Sequence, residues 1–151
     1  MEKIDELDKK ILRIITQNAR IPFKDVAEQC HVSRAAIHQR VQKMIESGLI
    51  LGSGYNVSHR MLGYNLCVFV GITLEKGNMY DAVCTELEKI PQITEAYYTL
   101  GTYSMIIRMY AKNDLDLMQL LNGRIQSIPG VAKTETLTAL DRRFSRILPI
   151  E

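Results

Sequence analysis

A chain of 151 residues is long enough for one ordinary domain or for two small ones. With 46% hydrophobic and 24% charged residues and no low-complexity tract, the composition excludes a disordered or fibrous protein. No apolar run approaches bilayer length, and the start Met1-Glu2-Lys3-Ile4-Asp5-Glu6 is too charged for a signal peptide, so neither a membrane partner nor secretion is expected.

The net charge of +2 becomes informative when it is divided along the chain. Positions 1–64 hold ten Lys/Arg against seven Asp/Glu, a balance of +3, and the remainder holds nine against ten, a balance of −1. No acid lies between Glu28 and Glu46, an interval that carries Arg34, Arg40, Lys43, His31 and His38. Cys30, Cys67 and Cys84 are odd in number, far apart and set in apolar patterns, which suits buried free thiols in a reducing, cytoplasmic compartment.

Asp5 is placed to cap a first helix, whose apolar positions Leu7, Ile11, Ile14 and Ile15 recur at helical spacing through about Asn18. A second helix begins near Pro22 with Phe23, Val26, Ala27 and Cys30 on its buried face. In the tight turn His31-Val32-Ser33, Ser33 is the N-cap of a third helix and Val32 staples against Ile37. The inner face of that helix reads Ile37, Val41, Met44 and Ile45, and Gly48 supplies a left-handed stop. Helices joined so tightly cross steeply, with Ala27 small enough for the contact and His31 tolerant of positive φ. The spacing is that of a helix-turn-helix over 24–47.

The outward face of the third helix holds Ala35, Gln39, Gln42 and Lys43, flanked by Arg34, His38 and Arg40. Gln pairs with adenine, Arg with guanine, a small Ala permits close approach, and Lys43 and the Ser33 end of the helix suit phosphate. Ser33, Arg34, Ala35, His38, Gln39, Arg40, Gln42 and Lys43 are therefore the candidate contacts to double-stranded DNA. A plain trihelical bundle with a solvated basic face is the alternative. Residues 49–57 read as a short strand, a Gly-rich turn and a second strand, forming a wing or an interdomain strand. In the linker that follows, His59 and Arg60 are candidates for the phosphate backbone, with a merely solvated linker as the alternative.

Beyond the linker the period changes to two. Leu66, Val68, Val70, Ile72 and Leu74 alternate with Cys67, Phe69, Gly71 and Thr73, so both faces of this strand are apolar and it is central. A helix follows with Tyr80, Val83, Cys84, Leu87 and Ile90 on one face. Strands over 93–100 and 103–111 flank a turn at Gly101-Thr102. Asp114 caps a helix with Leu117, Leu121, Ile125 and Ile128 inward, and a strand runs from Val131 to about Leu140. Lys89-Ile90-Pro91-Gln92-Ile93 and Ser127-Ile128-Pro129-Gly130-Val131 repeat one helix-stop and strand-start device, so the order βαββαβ is two βαβ halves of a ferredoxin-like sheet. Two helices on one side leave Phe69, Ile106 or Met105, Tyr97 or Tyr98, and Leu137 uncovered, which predicts at least a homodimer. Paired reading heads reach half-sites roughly 35 Å apart or a multiple of that.

The expected fold class is thus α+β, with a winged helix-turn-helix domain over 1–50, a wing or linker strand over 51–64, and a ferredoxin-like effector-binding and oligomerisation domain over 65–151. The whole chain resembles the Lrp/AsnC family of leucine- and asparagine-responsive regulators. The motifs that carry the resemblance are Leu7-Asp8-Lys9-Lys10-Ile11-Leu12, Ile37-His38-Gln39-Arg40-Val41, Gly48-Leu49-Ile50, Leu62-Gly63-Tyr64 and Glu95-Ala96-Tyr97-Tyr98-Thr99-Leu100-Gly101-Thr102-Tyr103-Ser104. The resemblance implies a dimer built through sheets of the RAM type, assembly into octamers, and a small effector, usually an amino acid. It further implies an effector site at the turn between the second and third strands, on Tyr98, Leu100, Gly101, Thr102, Tyr103 and Ser104, joined by Gln126. Backbone N–H groups near Gly101 suit a carboxylate, and the Tyr and Ser hydroxyls suit an amine or amide. Thr102 and Ser104 stand where relatives often carry acids, which points toward the asparagine branch; Leu100 replaces a common Thr. A plain hairpin that only holds the sheet is the alternative for these residues.

No cofactor or metal is expected. His31, His38 and His59 are not at ligand spacing with the cysteines, and no enzyme site emerges. Two rival readings are an effector-blind DNA organiser and a tetrapyrrole decarboxylase, the latter because an enzymatic group resembling the family carries out that reaction.

Overall fold

The computed structural model describes residues 4–151; the charged start Met1, Glu2 and Lys3, on which the absence of a leader was argued, lies outside the described residues. The chain forms two compact units: one holds the described residues through Asn56 together with 144–151, the other spans Val57–Arg143.

The helical unit contains α1 (Glu6–Gln17), α2 (Phe23–Cys30) and α3 (Arg34–Glu46). Asp5 caps α1 reciprocally. The Asp8 N–H donates to Asp5 Oδ1 at 2.8 Å, and the Asp5 N–H donates to Asp8 Oδ2 at 3.1 Å. Pro22 precedes α2, and His31 ends it in the left-handed region at φ 58°, as the tight turn requires. Ser33 Oγ accepts from the Ala36 N–H at 3.1 Å and starts α3, and Gly48 at φ +77° stops it. Ile11, Val26 and Ile37 are fully buried at the centre, each worth about 1.5–3 kcal/mol relative to exposure. Leu12 joins them on α1, whereas Ile45, expected on the inner face of α3, is 48% exposed.

Two expectations for this unit are corrected. No strand forms over 49–57: Leu51, Tyr55 and Val57 are exposed, and among the described residues no strand runs beside the segment to complete a ladder. Tyr55 instead lies under the Arg20 guanidinium, 4.2 Å from the ring centroid. Residues 144–151, placed by sequence in the sheet domain, belong to the helical unit, where Ile150 packs on the core and its carbonyl accepts from Arg13 Nε at 2.8 Å.

The sheet unit contains β1 (Leu66–Leu74), α4 (Tyr80–Glu88), β2 (Ile93–Tyr98), β3 (Met105–Ala111), α5 (Asp114–Met118) and β4 (Val131–Ala139). The strands lie in the order β2-β3-β1-β4, all antiparallel, which is the ferredoxin-like arrangement of two βαβ halves. Val68, Val70 and Ile72 of β1 and Met105, Ile107 and Met109 of β3 are fully buried against Val83, Leu87, Leu120 and Ile125 of the helical layer. Asn113, not Asp114, caps α5, its side chain accepting from the Asp116 N–H at 2.9 Å. Past Met118 the helix widens into a π-helical stretch, Gln119–Ile125, closed by the Gln126 N–H on the Leu121 carbonyl at 2.8 Å. The wider turn rotates the inner face, so Leu120 is buried while Leu117 and Leu121, expected inside, are half-buried.

The strand register decides which alternatives face away from the helices. Phe69 pairs with Arg108 and Leu137, and Ile106 pairs with Tyr97, so these residues share the open face. Met105 and Tyr98 are on the helix side, where Tyr98 packs on Tyr80 with ring centroids 4.4 Å apart. Phe69 is 38%, Tyr97 56% and Leu137 67% exposed, leaving an apolar surface uncovered on this face.

Candidate nucleic-acid interface and ligand loop

Ile37, Val41 and Met44 bury one stripe of α3, and the helical period turns Arg34, Ala35, His38, Gln39, Gln42 and Lys43 outward, all exposed. Gln39 and Gln42 stand three positions apart on this exposed face, with Gln42 Nε2 donating to Glu46 Oε1 at 3.0 Å. Ser33 and the first turn of α3 offer backbone N–H groups to an anion. The His38 ring packs edge-on against Phe23 with centroids 4.6 Å apart, which fixes its direction on the rim of that face.

Arg40, a further candidate contact, is engaged across the bundle. One terminal nitrogen donates to Asp5 Oδ2 at 2.6 Å and to Asp8 Oδ1 at 2.8 Å, tying α3 to the cap of α1. The Asp8 N–H first, and Arg40 second, hold the Asp5 carboxyl below its usual range, and the same carboxylates raise Arg40. Arg40 therefore braces α3 against α1 within the bundle. Sequence periodicity placed Arg40 on the flank; the acids that claim it lie more than thirty positions away.

His59 and Arg60 are likewise engaged within the sheet unit. The Tyr64 carbonyl accepts from His59 Nδ1 at 2.7 Å, the His59 ring packs 4.6 Å from Tyr110, and Arg60 Nη2 donates to the Leu140 carbonyl at 3.4 Å. They line a cleft of about 140 Å³ on the open face with Cys67, Arg108, Tyr110 and Arg142. Burial first, then Cys67, raises the Tyr110 phenol above its usual value. Nothing in the linear sequence marked this cleft, because its walls come from the linker, β1, β3 and the chain after β4.

The candidate ligand residues divide into three groups. Leu100, Gly101 and Thr102 form an exposed tip, with Gly101 at φ +135°. Tyr103 and Ser104 are fastened to the sheet: the Ser104 N–H donates to the Ile72 carbonyl at 2.9 Å, and Ser104 Oγ accepts from the Leu74 N–H at 3.2 Å. The Tyr103 hydroxyl donates to Glu135, and its ring lies over Gly71. Tyr98 belongs to the helix side at one sheet edge, and Gln126 bonds Thr134 at 2.9 Å at the other edge. The row Tyr98, Met105, Ile72, Thr134 crosses three strand spacings, roughly 14 Å in all, so Gln126 does not converge with Tyr98 inside one chain.

A helix-turn-helix with a polar, amide-rich outward face, followed by a ferredoxin-like domain, defines a two-domain DNA-binding regulator. The chain belongs to the Lrp/AsnC family: the family model for a winged helix-turn-helix DNA-binding domain matches residues 4–50, and that for the Lrp/AsnC ligand binding domain matches residues 67–147. The regulatory protein AsnC of Haemophilus influenzae is 39% identical over 146 residues, covering 97% of each chain. The solved structure of Escherichia coli AsnC superposes with a TM-score of 0.91 at 37% identity, over 97% of this chain and 99% of that one. A feast or famine regulatory protein from M. tuberculosis, solved with L-methionine, shares the fold with a TM-score of 0.91 at 23% identity, over 99% of this chain and 100% of that one. These relatives are named as regulators, which sets the decarboxylase reading aside and makes a non-enzymatic role in transcription regulation the function of this architecture. Among the described residues no helix is long and apolar enough to cross a membrane.

Proposed function

We propose that the protein reads DNA through Arg34, Ala35, Gln39, Gln42 and Lys43 of α3, with Ser33 and His38 at the rim, and that an amino acid bound at the 98–104 loop alters this binding. The exposed polar face of α3, set opposite the buried Ile37, Val41 and Met44, is the observation that carries the DNA half. The effector half is supported by the match to a ligand binding domain and by L-methionine in the M. tuberculosis relative. Similarity to proteins named AsnC, and the hydroxyls of Thr102 and Ser104 where acids would favour a different ligand, incline the choice toward asparagine.

Two copies associate through the open sheet face, where Phe69, Tyr97, Ile106 and Leu137 gather. Pairing multiplies a reading head that holds little charge of its own, since linked heads bind one DNA with raised effective concentration. Thermal melts of the intact protein against each of the twenty amino acids test the effector, because a ligand of the folded state raises the melting temperature by mass action. Failure of all twenty to shift the melt leaves the effector-blind organiser as the better reading. A mass measurement on the same preparation reports dimer or octamer.

A further inference from the structure

The cleft at the end of the open face belongs to neither the α3 surface nor the 98–104 loop. It holds about 140 Å³, close to the cavity of about 150 Å³ that accepts benzene when engineered into a protein core. All of its walls come from the sheet unit, on the row Tyr110, Cys67, Ala139 that follows the row Arg108, Phe69, Leu137 on the same face. Cys67 stands five positions before Ile72, whose carbonyl takes the Ser104 N–H, which separates cleft and loop by roughly 17 Å along β1.

The charge of the cleft is one-sided. Arg60, Arg108 and Arg142 line it, and its acid, Asp141, accepts from Arg143 Nη1 at 3.4 Å. Arg108 is matched by Glu95 at 2.9 Å. Arg60 makes one 3.4 Å bond to the Leu140 carbonyl, and among the described residues no acid pairs with Arg60 or Arg142. The remaining walls are apolar, with Phe69 and Leu140 beside the Tyr110 ring, which His59 steadies at 4.6 Å between centroids. A guanidinium fork gives a carboxylate two parallel N–H bonds, and apolar walls take the rest of a small acid. A second unpaired guanidinium suits a second acceptor next to the carboxylate. The same charge repels an ammonium group, for which the cleft holds no unclaimed acid.

We propose that this cleft binds a small 2-oxo acid with an apolar side chain, its carboxylate and oxo oxygens held by Arg142 and Arg60, and that it rejects the amino acid of the same carbon skeleton. The site is distinct from the amino-acid site at the 98–104 loop, and the inference does not rest on that reading.

The test is calorimetric titration of the intact protein with 3-methyl-2-oxobutanoate and with valine, which share a skeleton, and with inorganic phosphate. Arg142→Gln is the first variant, because its guanidinium holds no acid of the described chain, and Arg60→Gln is the second. The expected result is saturable binding of the oxo acid that weakens about tenfold in Arg142→Gln, while the melting temperature without ligand stays that of the wild type. Valine binding that is unchanged in Arg142→Gln belongs to the loop and agrees with the proposal. No binding of the oxo acid, binding indifferent to both variants, or valine bound as tightly and with the same dependence on Arg142 overturns it. Phosphate bound as tightly as the oxo acid also overturns it, since a bare anion gains nothing from the apolar walls. The thermal melts against amino acids decide the loop reading separately, whichever of these results is found.

Discussion

Arg40 on α3 and Asp8 on α1 meet at 2.8 Å, and the same Arg40 nitrogen reaches Asp5 at 2.6 Å, so a residue that the sequence places beside the DNA face is held by the cap of the first helix. The third helix is thereby fixed in direction by its neighbour. Arg40→Gln is expected to lower the melting temperature of the helical unit while leaving the salt dependence of DNA binding close to that of the wild type. Lys43→Ala should weaken all sequences and reduce the slope of log K against log salt by about one. A large loss of slope in Arg40→Gln would return Arg40 to the interface.

Acid should loosen the same contact. Asp5 is held below its ordinary value of 3.8, by the Asp8 N–H first and by Arg40 second. A carboxylate depressed in this way contributes stability above its ordinary value and gives it up as pH falls through the depressed one. The helical unit is therefore expected to lose stability below about pH 4. The acid limb of its thermal stability should be flatter in Arg40→Gln. An unchanged acid limb in the variant contradicts the assignment.

Sequence choice should reside in the amides. Gln39→Ala is expected to relax discrimination at one base pair by about 1–3 kcal/mol while binding to random DNA changes little. Competition of operator against random duplex measures the difference. Equal losses on both would make Gln39 a backbone contact.

The turn between α2 and α3 gives a stability prediction independent of DNA. His31 sits at φ 58° and ψ 41°, where a β-branched side chain is strained. His31→Val should cost about 1–2 kcal/mol in denaturant melts, and His31→Gly should be near neutral. Ser33→Ala, which removes the cap from the Ala36 N–H, should cost about 1 kcal/mol.

What could be read from the sequence was local. The caps Asp5 and Ser33, the left-handed His31 and the stop at Gly48 each depend on neighbours within a few positions, and each is found where the pattern puts it. The sheet order followed from two-residue alternation and the repeated Ile-Pro device. The features that escaped depend on distant partners or on a change of helical pitch. Nothing near Arg40 names Asp5, nothing near Tyr103 names Gly71, and the π turn after Met118 shifts the buried face to Leu120 without any proline to mark it. Residues 49–57 carry strand-forming side chains, but a ladder needs a second strand, and none of the described residues forms one there.

Residues 144–151 give the helical unit an order of assembly. Because Ile150 covers its core and takes the Arg13 hydrogen bond, the reading head is a discontinuous unit, interrupted by the whole sheet domain. During synthesis the three helices leave the ribosome long before the segment that closes over them. A nascent chain thus holds a helix-turn-helix with an open flank until the sheet domain has been made. Its full stability arrives only when the sheet domain already exists, so a closed helical unit and a complete sheet domain become available together.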